Sequence, residues 1–216
     1  MDDLSVERYL EVLKKDRCPL CFLMASSGLE RLKSFLNEYV NDPEVRGTIA
    51  KAGGFCRLHA WQSVASGNNP VGVGLVHHSL LTEGLARIAK EKGDRPLFGP
   101  RKEKTLCLMC DWEASVADNL SRQFATCWAA SPKLREEFDK NGILCVPHLE
   151  KVVRCSPPGE RASIIEAGRK SLEGLLKELE EYLNKQDYRR AHEKSGEEWD
   201  SWIRAVRMMV GEKGTV

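Results

Sequence analysis

Net charge is the first thing this 216-residue sequence lacks: 33 Lys and Arg stand against 32 Asp and Glu, a formal +1. With no global basic field, nothing draws in polyphosphate or an anionic membrane surface. The basic clusters Arg101 to Lys104 and Arg189-Arg190 are too short to track a nucleic-acid backbone, so no nucleic-acid partner is expected. Long apolar runs are missing too, and no window approaches the roughly eighteen residues a membrane-spanning helix needs. The opening MDDLSVERYLEVLKKDRCPL places acids ahead of any apolar stretch, which is not the pattern of a secretory signal. The expectation is a cytoplasmic chain with no membrane partner. Catalytic signatures are also absent. There is no Gly-rich phosphate loop, Gly-x-Ser-x-Gly elbow or His-Glu-x-x-His helix. Acid pairs such as Glu180-Glu181 and Glu197-Glu198 read as solvated helix faces. No catalytic residue is assigned, and an enzyme is not the default reading.

What the chain does have is 42% hydrophobic residues, 30% charged residues and eight cysteines. That composition is globular, and a chain this long buries a core without staples. Because a cytosolic compartment keeps thiols reduced, the cysteines read as metal ligands and not as disulfides.

Six of the eight cysteines fall into a repeat. Cys18-Pro-Leu-Cys21 is followed by Cys56-Arg-Leu-His59, and Cys107-Leu-Met-Cys110 by Cys145-Val-Pro-His148, with 34 residues between the halves each time. An offset of 89 residues also matches Ala25 with Ala114, Phe35 with Phe124, Pro43 with Pro132, Arg46 with Arg135 and Gly53 with Gly142. One added residue then aligns Glu83-Gly84-Leu85 with Glu173-Gly174-Leu175. The sequence therefore divides into residues 1–92 with the first copy, a Pro/Gly/charge-rich linker at 93–106, a second copy at 107–187, and a C-terminal extension at 188–216.

Apolar spacing predicts an all-α fold. Leu29, Leu32, Leu36 and Tyr39 in one copy, and Trp112, Val116, Leu120, Phe124 and Trp128 in the other, recur at helical steps. Asp42-Pro43 and Ser131-Pro132 place an N-cap oxygen before a first-turn proline, starting a short returning helix that Gly53 or Gly142 ends as a left-handed residue. Longer helices follow at about 72–92 and 160–186. Only Val71 to Val76 looks faintly strand-like, and an N-terminal helix over 4–15 carries Leu4, Tyr9, Leu10 and Leu13.

A CxxC can turn two sulfurs toward one point, and a CxxH supplies the other two corners of a tetrahedron. Three thiolates and an imidazole suit Zn²⁺. A helix over 22–39 travels about 27 Å, and a ten-residue return helix of about 15 Å with six extended flanking residues at about 3.3 Å each brings the chain back. The expectation is two tandem homologous helical units, each closed by its own metal site: Cys18, Cys21, Cys56 and His59 in one, Cys107, Cys110, Cys145 and His148 in the other. Two zinc ions per chain follow, with an iron–sulfur cluster as the alternative occupant. Phe22 and Asp111 stand where c-type haem attachment needs histidine. A thioredoxin-like dithiol needs a βαβ pattern that is missing.

Cys127 aligns with Glu38 and reads as a small buried hydrophobe; Cys155 has no assigned role. His77 and His78 are helix neighbours pointing apart, and His192 reads as solvated. Trp199, Trp202, Ile203, Val206, Met209 and Val210 form a C-terminal amphipathic stripe that either packs on the repeats or meets a protein partner.

The motifs CPLC, GGFCRLHAW, CLMC and ILCVPH, with DYRR followed by GEEWDSWIRA, resemble an uncharacterised bacterial family, domain of unknown function 6062. The resemblance spans nearly the whole chain. The second copy departs from it in having Ile143-Leu144 where the pattern has Gly-Phe. The resemblance implies the eight Cys and His positions as the binding set and brings no activity. The expected function is thus a zinc-stabilised binding or scaffolding module, with a redox or metal-responsive protein as the alternative.

Overall fold

The computed structural model describes residues 3–66, 69–90, 107–190, 192–194 and 196–212. Among the described residues all regular structure is helical, as the periodicity predicts. The α-helices are α1 (Asp3–Leu13), α2 (Pro19–Ser34), α3 (Pro43–Ala52), α4 (Arg57–Ala65), α5 (Pro70–Lys90), α6 (Leu108–Ala130), α7 (Pro132–Asn141), α8 (Val146–Cys155), α9 (Pro158–Lys185) and α10 (Ser201–Val210). A π turn, Phe35–Tyr39, continues α2. Val71 to Val76 lies inside α5, so the strand-like appearance of that stretch is overridden by helix. The linker expected at 93–106 lies outside the described residues.

Local chemistry sets the boundaries. The Asp42 carboxylate accepts from Glu44 N–H and the Ser131 hydroxyl from Leu134 N–H, each with proline next in the chain, so α3 and α7 start where their caps place them. Gly53 ends α3 at φ 77°, the left-handed conformation expected. Gly142 does not: its φ is −80°. Its lack of a side chain serves a close approach instead, since a Cβ there would lie 2.2 Å from Cγ of Phe138. Arg46 donates to the Val40 carbonyl, and Arg135 to those of Trp128 and Ala129, so the two arginines matched by the 89-residue offset satisfy carbonyls just before α3 and α7.

The helices belong to two compact units, Met1–Met24 with Val116–Thr215, and Ala25–Ser115. Both boundaries fall inside helices, α2 and α6, and not between the sequence copies. The first unit packs around Tyr9, Phe124, Trp128 and Phe138, with Tyr9 and Phe124 edge-to-face at 5.1 Å and Trp128 and Phe138 at 5.4 Å. The Tyr9 hydroxyl donates toward Leu120 O or Gln123 Oε1, so its polar tip is met despite burial. In α1, Tyr9, Leu10 and Leu13 enter this core as expected while Leu4 is 81% exposed. The second unit buries Leu32, Phe35, Leu36, Val40, Ile49, Phe55 and Val76. Within the first unit α10 packs on α8 and α9, burying Ser201 and Met208. The stripe of Trp202, Val206, Met209 and Val210 faces outward, the opposite of a packing face.

Candidate metal centres

All eight sequence-assigned Cys and His residues gather into two clusters of four, but the partners are exchanged. Cys18 and Cys21 meet Cys145 and His148; Cys56 and His59 meet Cys107 and Cys110. The expectation that each copy closes its own site is therefore corrected: every cluster takes its CxxC from one copy and its CxxH from the other. The residues flanking α3 are not extended as closure within one copy requires. They are spent on turns, with Asp42 N–H bonded to Tyr39 O, Gly53 N–H to Ala50 O and Gly54 N–H to Ile49 O. A return of about 15 Å along α3 then falls short of the roughly 24 Å of α2 alone. Cys56 accordingly clusters with Cys107 and Cys110. Each cluster nevertheless lies wholly within one compact unit.

The local construction is the same throughout. Cys18, Cys56, Cys107 and Cys145 each immediately precede a helix, and Cys21, His59, Cys110 and His148 sit three residues later in its first turn. Residues three apart share one helix face, so a CxxC or CxxH delivers two ligand atoms side by side. Each cluster is thus two helix N-termini presenting donors, and the positive ends of both helix dipoles favour thiolate over thiol.

In the first cluster the sulfurs of Cys18, Cys21 and Cys145 lie 3.5, 3.3 and 3.1 Å from Nδ1 of His148, and the Cys21 and Cys145 sulfurs are 3.6 Å apart. In the second, Cys56, Cys107 and Cys110 lie 3.2, 3.5 and 3.4 Å from Nδ1 of His59, with Cys56 and Cys110 sulfurs 3.6 Å apart. A tetrahedral zinc site with bonds of about 2.3 Å to sulfur and about 2.05 Å to nitrogen has edges of about 3.8 Å between sulfurs and about 3.6 Å between sulfur and nitrogen. Both clusters have the dimensions of one such tetrahedron, and both can hold a metal ion.

Their electrostatics point the same way. Hydrogen bonds from Cys145 and Cys18, with His148 adding, hold the Cys21 thiol far below the ordinary range. Burial and the neighbouring sulfurs hold Cys18 well above it. In the second cluster burial opposes ionisation of Cys107, yet the His59 ring and backbone N–H groups bring it down to about 6. Burial and the adjacent thiols push Cys110 up. Burial would likewise lower His59, but Cys107 and Glu113 raise it to about 10. Each cluster thus pulls one thiol down and pushes a neighbouring one up, and a cation among the sulfurs is what would let thiolates sit together there.

The surroundings differ. Every member of the first cluster is buried, whereas Cys56 and Cys110 of the second are half-buried. Glu113, unremarked in the sequence, is 3% exposed, and its Oε1 lies 3.1 Å from Nε2 of His59 without the alignment of a hydrogen bond. The signal that marks it is an acid three residues after Cys110, on the same helix face as that cysteine. None of the eight cysteines forms a disulfide; Cys127 is buried as expected and Cys155 is exposed. His77 donates to the Val73 carbonyl at 2.8 Å and takes no part in either cluster. A cavity of about 690 Å³ in the first unit has Cys18, Phe138, Ile143 and Met208 on its wall. Arg204 there is held by Glu178 and Asp200, and Arg207 by Glu212. Among the described residues no helix is long and apolar enough to cross a membrane.

Residues 9–215 match the family described as "Family of unknown function (DUF6062)", and the chain belongs to it. The chain is also similar to an "Uncharacterized 23.9 kDa protein in xynA 3'region" of Caldicellulosiruptor sp. (strain Rt8B.4), 30% identical over 211 residues, covering 94% of this chain and 98% of that protein. No solved structure matches it.

Proposed function

We propose that this member of a family of unknown function is a zinc-binding helical module of a reducing, cytoplasmic compartment, built by duplication and held together by two architectural ions. The observation that carries the reading is the gathering of two complete Cys₃His sets, each the size of one tetrahedron. Cys18, Cys21, Cys145 and His148 would hold one ion and Cys56, His59, Cys107 and Cys110 the other. Zinc in such a set is four-coordinate and closed, so it supplies a cross-link and no open position for substrate. The role is then binding or scaffolding, with the outward Trp202, Val206 and Met209 face of α10 meeting a protein partner. A multi-iron cluster spreads its ligands over several metal atoms, and spacing of one tetrahedral edge supports a single ion over that alternative.

Elemental analysis of protein purified without added metal tests this. Colourless protein carrying close to two zinc per chain is the expected result. Brown protein with iron and acid-labile sulfide would replace it with the redox alternative, and a folded, metal-free chain would end both.

A further inference from the structure

The two clusters match in ligands and differ in what stands behind the histidine. His59 is completely buried, and its two ring nitrogens are divided: Nδ1 faces three sulfurs, Nε2 faces Glu113 Oε1 at 3.1 Å. A neutral imidazole carries one proton. For Nδ1 to offer its lone pair to a metal, that proton has to sit on Nε2, where a carboxylate is the strongest acceptor to hold it. Among the described residues His59 Nε2 and Glu113 Oε2 are both buried without an aligned hydrogen bond, so ring and carboxylate face one another as the partners at hand. Among the described residues its negative charge faces the His59 ring, and a cation held by the three sulfurs beyond that ring would compensate it.

The 89-residue offset places Met24 where the second cluster has Glu113, and Met24 is 1% exposed. A thioether is a weak acceptor and brings no charge. A second position varies with it. A Cβ on Gly28 would lie 3.0 Å from Glu113 Oε1, while the residue one offset away is Ala117. Carboxylate goes with glycine in one half and methionine with alanine in the other, as expected if the glycine makes room for the carboxylate.

We propose that Glu113 is a positioning residue of the second centre: it fixes His59 in the tautomer that ligates through Nδ1 and so strengthens that centre's grip on a divalent cation. The proposal rests on the zinc reading above. Loss of such an outer partner commonly weakens metal binding about 10–100-fold.

The test is competition for Zn²⁺ between the full chain and a chromophoric chelator, fitted for two sites, in Glu113→Met and in the isosteric Glu113→Gln. The Met variant should still bind two ions, with one affinity lowered about 10–100-fold and the other unchanged. The Gln variant, whose amide oxygen still accepts from Nε2–H, should fall between it and wild type. In the zinc-loaded wild type, nitrogen-edited NMR should show a slowly exchanging His59 Nε2–H whose protection is lost in the Met variant, a signature that packing alone does not produce. Two affinities equal to wild type, or two lowered alike, would overturn the role of Glu113 and leave the zinc reading standing. A wild-type chain that binds no Zn²⁺ would overturn both.

Discussion

The first cluster sits inside its unit's apolar core: Cys18, Cys21 and Cys145 are core members alongside Leu20, Met24 and Leu144. The second sits at the edge of a smaller core, with Cys107 inside and Cys56 and Cys110 packed against it. Identical donors in unlike surroundings separate two jobs a metal can do. Where thiols are fully buried, a bound ion would replace interactions the core cannot otherwise make. Where they are half-buried, a bound ion would be reachable by solvent, and the carboxylate proposed to hold the histidine would compensate. The lesson is that ligand identity decides whether a metal binds, and the surroundings decide how firmly it is kept.

The comparison breaks most visibly at the ligands themselves. Cys21→Ser removes a sulfur that is 0% exposed and puts a hydroxyl into a core that has no use for it. Structural zinc is commonly worth on the order of 10–16 kcal/mol, as much as a whole domain's stability of about 5–15 kcal/mol. Zinc content should fall by half and the first unit should lose its cooperative thermal transition by circular dichroism. Cys110→Ser, at the edge of the second core, should also halve the zinc and do less to the melting curve. Full zinc content in either variant would show the ligand assignment to be wrong, and equal melting losses would erase the distinction between buried and edge centres.

How far the sequence foretold this depends on the range of the signal. The N-caps Asp42 and Ser131, the first-turn prolines and the helix periods of α2 and α6 are local, and all are where the residues predict. The eight clustered Cys and His positions are legible because CxxC and CxxH are first-turn patterns whose geometry one helix settles. Which motif pairs with which is not local. It depends on whether a few residues around α3 extend or turn, and the hydrogen bonds of Asp42, Gly53 and Gly54 decide for turning. Glu113 is not legible because one acid on a helix looks solvated until its neighbours are known, and the α10 stripe is legible as a stripe with its facing left open, because an amphipathic pattern does not say which face packs.

The two returning helices offer a finer contrast. Gly53 and Gly142 occupy matched positions for different reasons, one conformational and one steric. Gly53→Ala forces alanine into the left-handed region, costing roughly 1–2 kcal/mol. Gly142→Ala is free of that strain but drives a Cβ to 2.4 Å from the Phe138 carbonyl oxygen, which as backbone cannot step aside. Overpacking of that kind costs about 1–3 kcal/mol. Asparagine separates the causes, because it tolerates the left-handed region. Urea titrations should find Gly53→Asn milder than Gly53→Ala, and Gly142→Asn no better than Gly142→Ala. Relief by asparagine at both positions would mean the two glycines share one role after all.

The smallest effect is the most diagnostic. Gly28 lies within α2, where alanine is favoured over glycine by about 1 kcal/mol. Its Cβ, however, would press on Glu113 Oε1 at 3.0 Å, and the carboxylate has little room to give because it is buried. In Gly28→Ala the two effects oppose, so chemical stability should change by no more than a few tenths of a kcal/mol while the second centre's zinc affinity drops. Removing the carboxylate should uncouple them: in a Glu113→Ala background the same change at position 28 has nothing to collide with, so it should yield the ordinary helix gain and no further loss of zinc. Additivity of the two substitutions in the chelator titration would show that Gly28 and Glu113 act independently, and that the room behind His59 is incidental to how the ion is held.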